Sequence, residues 1–371
     1  MPQMDITNSH PPVEFTRLSA ASPVPAAERA AMLESPGFGK YLTDHMVTIR
    51  YDADRGWHDA RIAPRADLAL SPATMVLHYG GEIFEGLKAY RHPDGGAGLF
   101  RPAMNARRFN ASAARLAMAE LPEEMFVEAV RELVRTDREW LPSGAESSLY
   151  LRPFMIGTEV AIGVHPSKSY LFAVIASPVG SYFKGGVSGV PVWVSQNFTR
   201  AAPGGTGAAK CGGNYAAALA AQSEAAAHGC EQVVFLDAVE RRWVEELAGM
   251  NVFFVFDDGS LQTPPLGGTI LPGITRDSLI TLARGMGMEV REERYSIDQW
   301  RADLESGRLV EMFACGTAAV VAPISRIRGG DFDLALDQPG MGPVTARLRQ
   351  ALTDIQFGRA PDPQGWVERL F

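Results

Sequence analysis

The sequence predicts a mixed α/β (α+β) protein of two α/β domains with a site between them, and three observations carry that prediction. Short apolar, β-branched runs bounded by Gly and Pro alternate with stretches of helical periodicity. The chain has 371 residues, more than one hydrophobic core usually supports. A glycine-rich stretch from Pro178 to Gly189 interrupts the alternation. The division that follows is an N-terminal arm over 1–40, a smaller domain over 41–178, a short linker over 179–189 and a larger domain over 190–371.

Taken in order, the arm is rich in Pro and Ala and is expected to be ordered only by docking. Residues 75–91 and 97–101 read as strands around the turn His92-Pro93-Asp94-Gly95-Gly96. Helical patterns follow over Met104–Ala119 and Pro122–Glu139. Ser148–Ile156 and Tyr170–Ser177 are apolar and β-branched, which predicts buried strands. Beyond the linker, strands are expected at Val190–Ser195, Gln232–Asp237, Met250–Phe256 and Leu309–Ala314. Helices are expected at Asn214–His228, Arg276–Met286, Ile297–Leu304 and Val344–Ile355.

Composition narrows the function. A net charge of −8 argues against nucleic acid or an anionic membrane surface as partner. No stretch approaches the run of about 18 apolar residues that a membrane span needs. Glu14, Glu28 and Glu34 count against a transit peptide at the start. Three cysteines far apart, Cys211, Cys230 and Cys315, form neither a disulfide framework nor a metal-ligand pattern, which fits a reducing cytoplasm. Gly-x-Ser-x-Gly and His-Glu-x-x-His are both missing, so serine hydrolase and zinc protease chemistry find no support.

One segment is chemically specific: Gly204-Gly205-Thr206-Gly207-Ala208-Ala209-Lys210-Cys211-Gly212-Gly213-Asn214-Tyr215. The chain has only five lysines, at 40, 88, 168, 184 and 210, among 35 basic residues. Charge is left to Arg, which cannot deprotonate, so a Lys among glycines asks for a chemical reason. Its amine can form a Schiff base with a carbonyl. A solvated surface lysine is the plain alternative. A P-loop is excluded, because Ala209 and Cys211 stand where Gly and Ser or Thr are required.

Three further segments bear on Lys210. Leu271-Pro272-Gly273-Ile274-Thr275-Arg276 reads as a Gly turn opening a helix, with Thr275 as N-cap, and free N–H groups there suit a phosphate. Glu245-Glu246 leads into the apolar run Val252–Phe256, where a buried carboxylate needs a cationic partner such as a protonated pyridine nitrogen. Ala314-Cys315-Gly316-Thr317-Ala318-Ala319 is a small-residue turn whose N–H groups suit a phosphate or carboxylate oxygen. Each has a plain reading as an ordinary helix start, exposed loop or tight turn. Together a lysine, a phosphate cradle and an acid for a ring nitrogen are the set that pyridoxal 5′-phosphate (PLP) requires.

With these motifs, and with His78-Tyr79-Gly80-Gly81-Glu82-Ile83-Phe84-Glu85-Gly86-Leu87-Lys88-Ala89-Tyr90 and Tyr150-Leu151-Arg152-Pro153, the chain resembles the branched-chain amino-acid aminotransferases of fold-type-IV pyridoxal-phosphate enzymes from about residue 40 onward. The resemblance implies that Lys210 is the Schiff-base lysine and the acid/base, and that Glu246 pairs with the ring nitrogen. It implies that Tyr215 meets the phenolic oxygen, and that Arg108, the N–H groups of Ile274 and Thr275, the Thr275 hydroxyl and Thr317 hold the phosphate. It places Tyr79, Phe84 and Tyr150 on an apolar substrate wall, with Tyr182 joining them. The substrate carboxylate would meet N–H groups at Thr317 and Ala318, and Arg152 would take the second carboxylate of glutamate. A buried structural Arg paired with an acid is the other reading of Arg152.

The implied reaction is reversible ping-pong amino transfer between L-leucine, L-isoleucine or L-valine and 2-oxoglutarate, with no metal. A D-amino-acid aminotransferase or an aminodeoxychorismate lyase would keep the same cofactor residues. The apolar wall with Tyr150 and Arg152 favours the branched-chain reading. The resemblance also implies at least a homodimer. Ala319 and Ala322 stand where some relatives have a Cys-x-x-Cys pair, so no thiol switch is expected there. Gly249 stands where some have Thr.

Overall fold

The computed structural model describes residues 14–20, 22–180, 189–338 and 340–371. Two large sheets organise the chain. In the first, the central strands are Ser148–Gly157 and Ser169–Val179, paired antiparallel in register from Ser148↔Val179 to Gly157↔Tyr170. His45–Asp52 and Gly56–Pro64 extend it on one side. Leu87–Arg91, Ala97–Phe100 and Val367–Arg369 extend it on the other. The last strand of the chain therefore returns to the first sheet.

Two helices cover this sheet, each for a legible reason. Pro102–Arg115 has Pro at its first turn, where the missing N–H costs nothing. It buries Asn105, Ala106, Phe109, Ser112 and Ala113, a single stripe at helical spacing. Glu123–Thr136 buries Met125, Phe126, Ala129, Val130, Leu133 and Val134. Phe109, Phe126 and Phe172 pack with ring centroids 5.3–5.8 Å apart.

The second sheet is mixed. Val190–Ser195 pairs parallel with both Gln232–Leu236 and Val320–Arg328. Leu309–Gly316 pairs antiparallel with Val320–Arg328 and with Asn251–Phe256. All six residues of Asn251–Phe256 are buried, as a strand covered on both faces requires. Ile274–Gly285 and Pro343–Gln356 pack on it through Leu279, Leu282, Ala283, Leu348 and Leu352. Ile297–Glu305 begins with a full capping box between Ser296 and Gln299.

Several expectations are corrected. Residues 75–91 do not form one strand. Val76–Tyr79 is a helical turn that stops at Gly80 in the left-handed region (φ 60°), and Glu82–Phe84 and Leu87–Arg91 are separate strands. The break at Glu85-Gly86 lets the Glu85 side chain turn inward. Within the arm, Ala26–Glu34 is a helix and Thr16–Arg17 docks by pairing parallel with the first sheet. The helix after Pro272 is capped by Gly273, so Thr275 lies in its first turn and is not the N-cap. The proposed linker, and Tyr182 with it, falls largely outside the described residues.

Candidate active site

A cavity of 220 Å³ opens between the two sheets, lined by Phe84, Tyr150 and Arg152 from strands of the first and by Glu246, Ile274, Thr275, Thr317 and Ala318 from the second and its helix. Lys210 lies in it, just before the helix Gly212–Ala227. The lysine loop is held from several sides. Asn214, buried, donates to the carbonyls of Thr206 (2.8 Å) and Ala209 (2.9 Å) and accepts from the Thr206 hydroxyl (2.7 Å). Lys210 N donates to Ser112 Oγ at 2.9 Å, and Lys210 O accepts from Phe84 N at 3.0 Å. Gly207 cannot carry a side chain, because a Cβ there would stand 2.4 Å from the Thr269 carbonyl oxygen.

Lys210 Nζ donates to Tyr215 Oη at 2.8 Å and sits 4.9 Å from the centre of the Phe84 ring. Across the cavity Glu246 is 2% exposed. Its Oε1 accepts from Leu271 N (2.9 Å) and pairs with Arg200 Nη1 (2.8 Å), while Oε2 accepts from Asn251 Nδ2 (3.0 Å). Burial pushes the Glu246 carboxyl up to about 7, and Arg200 chiefly opposes that rise.

This has a stability consequence. In cofactor-free protein, Glu246 holds a proton that the unfolded chain releases near the ordinary carboxylate value of 4.5. Folding stability is therefore expected to fall as pH rises from the ordinary value to about 7, then to level off. The drop is about 3 kcal/mol for this group. Urea unfolding at pH 5 and pH 8 should show it in the wild type, and Glu246→Gln should lack it.

At the other end of the cavity, Gly273 caps the Ile274–Gly285 helix with no side-chain hydrogen bond. Its first N–H groups and its positive dipole end thus face the space beside Thr275 and Thr317, a fitting anion cradle. Arg108 reaches the same end. Its Nε (2.7 Å) and Nη2 (2.9 Å) grip the Glu85 carboxylate, and Nη1 donates to Pro272 O at 3.1 Å.

Glu85 is 0% exposed and also accepts from Asn105 Nδ2 at 2.7 Å and Gly86 N at 3.1 Å. Burial alone would raise its pKa. The charge and hydrogen bonds of Arg108, together with Lys210 and Asn105, outweigh that and hold the carboxyl below its ordinary range.

The substrate side has Arg152 Nη2 donating to Tyr150 Oη at 3.1 Å, with the guanidinium 4.8 Å from the Phe84 ring centre. Arg152 has no ion-pair partner among the described residues, and its Nε is buried without a hydrogen bond. Lys88 Nζ donates to Ala318 O at 2.9 Å and so fixes the turn at Thr317-Ala318 from behind. Tyr79 does not join this wall. It is 41% exposed, and its hydroxyl donates to the Ile162 carbonyl.

A family model described as amino-transferase class IV matches residues 82–327. The chain belongs to the class IV aminotransferases. Among relatives of this class IV chain, a probable branched-chain-amino-acid aminotransferase of Streptomyces coelicolor is 56% identical over 352 residues, covering 95% of this chain and 97% of its own. The branched-chain-amino-acid aminotransferase of Mycolicibacterium smegmatis is 53% identical, covering 97% and 99%. The solved branched-chain amino acid aminotransferase from Thermobaculum terrenum, in its PLP-bound holo form, superposes with a TM-score of 0.72 at 25% identity, covering 88% of this chain and 98% of that one.

Five residues of this class IV site escape a reading of the sequence. Phe38, from the arm, lines the cavity with its ring centroid 5.2 Å from that of Tyr150. Glu85 lies inside a quoted motif and Asn251 directly before the Val252–Phe256 run, yet their task of orienting Arg108 and Glu246 shows only in three dimensions. Lys88 and Arg200 act through backbone carbonyls and a buried pair, which leave no spacing signature.

Proposed function

We propose that this class IV aminotransferase binds pyridoxal 5′-phosphate and moves an amino group reversibly between L-leucine, L-isoleucine or L-valine and 2-oxoglutarate. The observation that carries the reading is one cavity that joins Lys210, Glu246 and the helix start at Ile274 to an aromatic wall holding Arg152, which has no carboxylate within ion-pair distance among the described residues, although Glu82 lies within its electrostatic reach. Bound there, the cofactor supplies a carbonyl that takes up the amino group and a ring that stores the electron pair left on the deprotonated carbon.

The rest is the work of this chain. Lys210 Nζ, close to neutral ring faces and one tyrosine hydroxyl, takes the substrate's α-proton and returns it. Tyr215, whose hydroxyl accepts from that amine, would meet the cofactor's phenolic oxygen. Glu246 meets the ring nitrogen, and the Ile274 and Thr275 N–H groups, the Thr275 and Thr317 hydroxyls and Arg108 hold the phosphate. The Thr317 and Ala318 N–H groups and Tyr150 hold the substrate carboxylate. Phe84, Tyr150 and Phe38 exclude water from the aliphatic side chain, whose burial contributes about 1.5–3 kcal/mol. One methylene more or less is worth only ~1–3 kcal/mol, so discrimination among the three substrates is slight.

Arg152 gives glutamate and 2-oxoglutarate their second anchor. Arg152→Met is expected to raise KM for 2-oxoglutarate by about 10–100-fold, the worth of a charged hydrogen bond, and to leave KM for L-leucine within a few-fold. Steady-state kinetics varying each substrate separately decides this. An equal loss for both substrates would favour a structural arginine instead.

The protein acts in the cytoplasm on this reading, consistent with three free, buried cysteines. Among the described residues no helix is long and apolar enough to cross a membrane. The chain also exposes the apolar side chains of Leu77, Tyr79, Val160, Ile162 and Val164, with Tyr79 bonded to the Ile162 carbonyl. We assign this patch to a second copy of the chain. Sedimentation should give at least a dimer, and Ile162→Asp with Val164→Asp should weaken it. A monomer in the wild type would refute the assignment.

A further inference from the structure

Arg200 stands on the loop that leads to Lys210, and its ion pair with Glu246 has a consequence for the bound cofactor. Its side chain is 3% exposed and forms an ion pair with Glu246, Nη1 to Oε1 at 2.8 Å. Nη1 also donates to Thr269 O at 2.8 Å, and both terminal nitrogens reach Gly207 O at 3.3 Å. One guanidinium thus ties the acid to the loop carrying the lysine. We propose that Arg200 is a positioning residue whose fixed charge on Glu246 keeps their shared proton on the cofactor's ring nitrogen. This rests on the reading that Glu246 meets that nitrogen.

A proton between two bases sits on the one that gains more from holding it. Burial favours neutral Glu246, and Arg200 is the strongest influence against it, followed by the Leu271 N–H and Lys210. Glu245, on the same strand, acts the other way. One of its oxygens is occupied by the Thr269 hydroxyl, and burial raises its own pKa. The Cys315 thiol, pushed up by burial, is also in electrostatic contact with Glu246.

The two cations differ in kind. Lys210 changes charge whenever it carries the substrate's proton. An arginine cannot deprotonate in a protein, so Arg200, unlike Lys210, presents a constant positive charge to Glu246 through turnover. Without it the proton passes to Glu246, the ring becomes neutral, and its pull on the substrate's electron pair weakens.

The test uses pyridoxal 5′-phosphate labelled with ¹⁵N in its ring, bound to wild-type protein, Arg200→Gln, Arg200→Lys and Glu246→Gln. Arg200→Gln keeps a donor for the two carbonyls and loses the charge, whereas Arg200→Lys keeps the charge. The expected ring nitrogen is protonated at pH 7 in wild type and Arg200→Lys, and unprotonated in Arg200→Gln. A parallel fall in kcat of about 10-fold or more, with KM changed less, accompanies a shift of one pKa unit or more.

A protonated nitrogen in Arg200→Gln overturns the proposal, as does a neutral nitrogen in the wild type, a result available even where the variants fold poorly. The reading of Glu246 fails separately, if Glu246→Gln leaves the ¹⁵N signal of the wild type unchanged.

Discussion

Lys210→Met is expected to lower turnover by at least about 10⁴-fold, the combined worth of a covalent amine and a positioned base, while leaving the fold intact. The side chain is not part of either core, and the loop around it is held by Asn214, Ser112 and Phe84 through backbone groups that methionine leaves unchanged. Lys210→Arg should fare no better. It retains the charge near Tyr215 and Glu246 but has no proton to give up. The check is single-turnover kinetics with L-leucine on protein loaded with pyridoxal 5′-phosphate, beside an unfolding curve. Turnover within about tenfold of wild type, well inside the range of an ordinary acid–base loss, would place the chemistry elsewhere.

Arg108→Leu is expected to damage both stability and cofactor affinity. The arginine meets Glu85, 0% exposed, through two hydrogen bonds of 2.7 and 2.9 Å. Removing it leaves a carboxylate in the protein interior with only Asn105 and one N–H for company, and breaking such a buried pair costs about 3–5 kcal/mol.

The sign with pH follows from the direction of the shift. In the wild type Glu85 titrates below its ordinary value, so the pair stabilises the protein above the ordinary carboxylate range. That contribution is lost as pH falls through the lowered value. Arg108→Leu with Glu85→Gln should recover part of the stability but not the cofactor affinity, because the phosphate end still lacks its cation. Chemical denaturation and fluorescence titration with pyridoxal 5′-phosphate separate the two effects. Full stability in Arg108→Leu alone would contradict the assignment.

The chemistry was legible in the sequence where it depends on residue type at fixed spacing. Lys210 with Tyr215 beyond it, Glu246 at a buried strand, and the Gly273-Ile274-Thr275 helix start lie within one motif each, and they line one cavity. The α/β alternation was legible for the same reason, since runs such as Asn251–Phe256 and the stripe of Pro102–Arg115 are local. Other features were not. His45–Asp52 alternates apolar and polar residues only over its last six, a short signal without a chemical motif, and its place beside Ser169–Val179 shows only in three dimensions. Tyr79 sits in the right motif but on a helical turn, where its hydroxyl bonds the Ile162 carbonyl and the residue is outside the cavity lining. Phe38 reaches the cavity from a segment without any recognisable motif, because the backbone of Gly37 is bonded to Gly180 N at 3.1 Å.

The most direct test of the central claim is the near-ultraviolet and visible absorbance of protein loaded with pyridoxal 5′-phosphate, recorded before and after L-leucine. The cofactor band is expected to give way to a shorter-wavelength band with L-leucine and to return with 2-oxoglutarate, and Lys210→Met should not show this cycle. A band that responds to D-alanine and ignores L-leucine would contradict the substrate assignment, and no band at all would contradict the site itself.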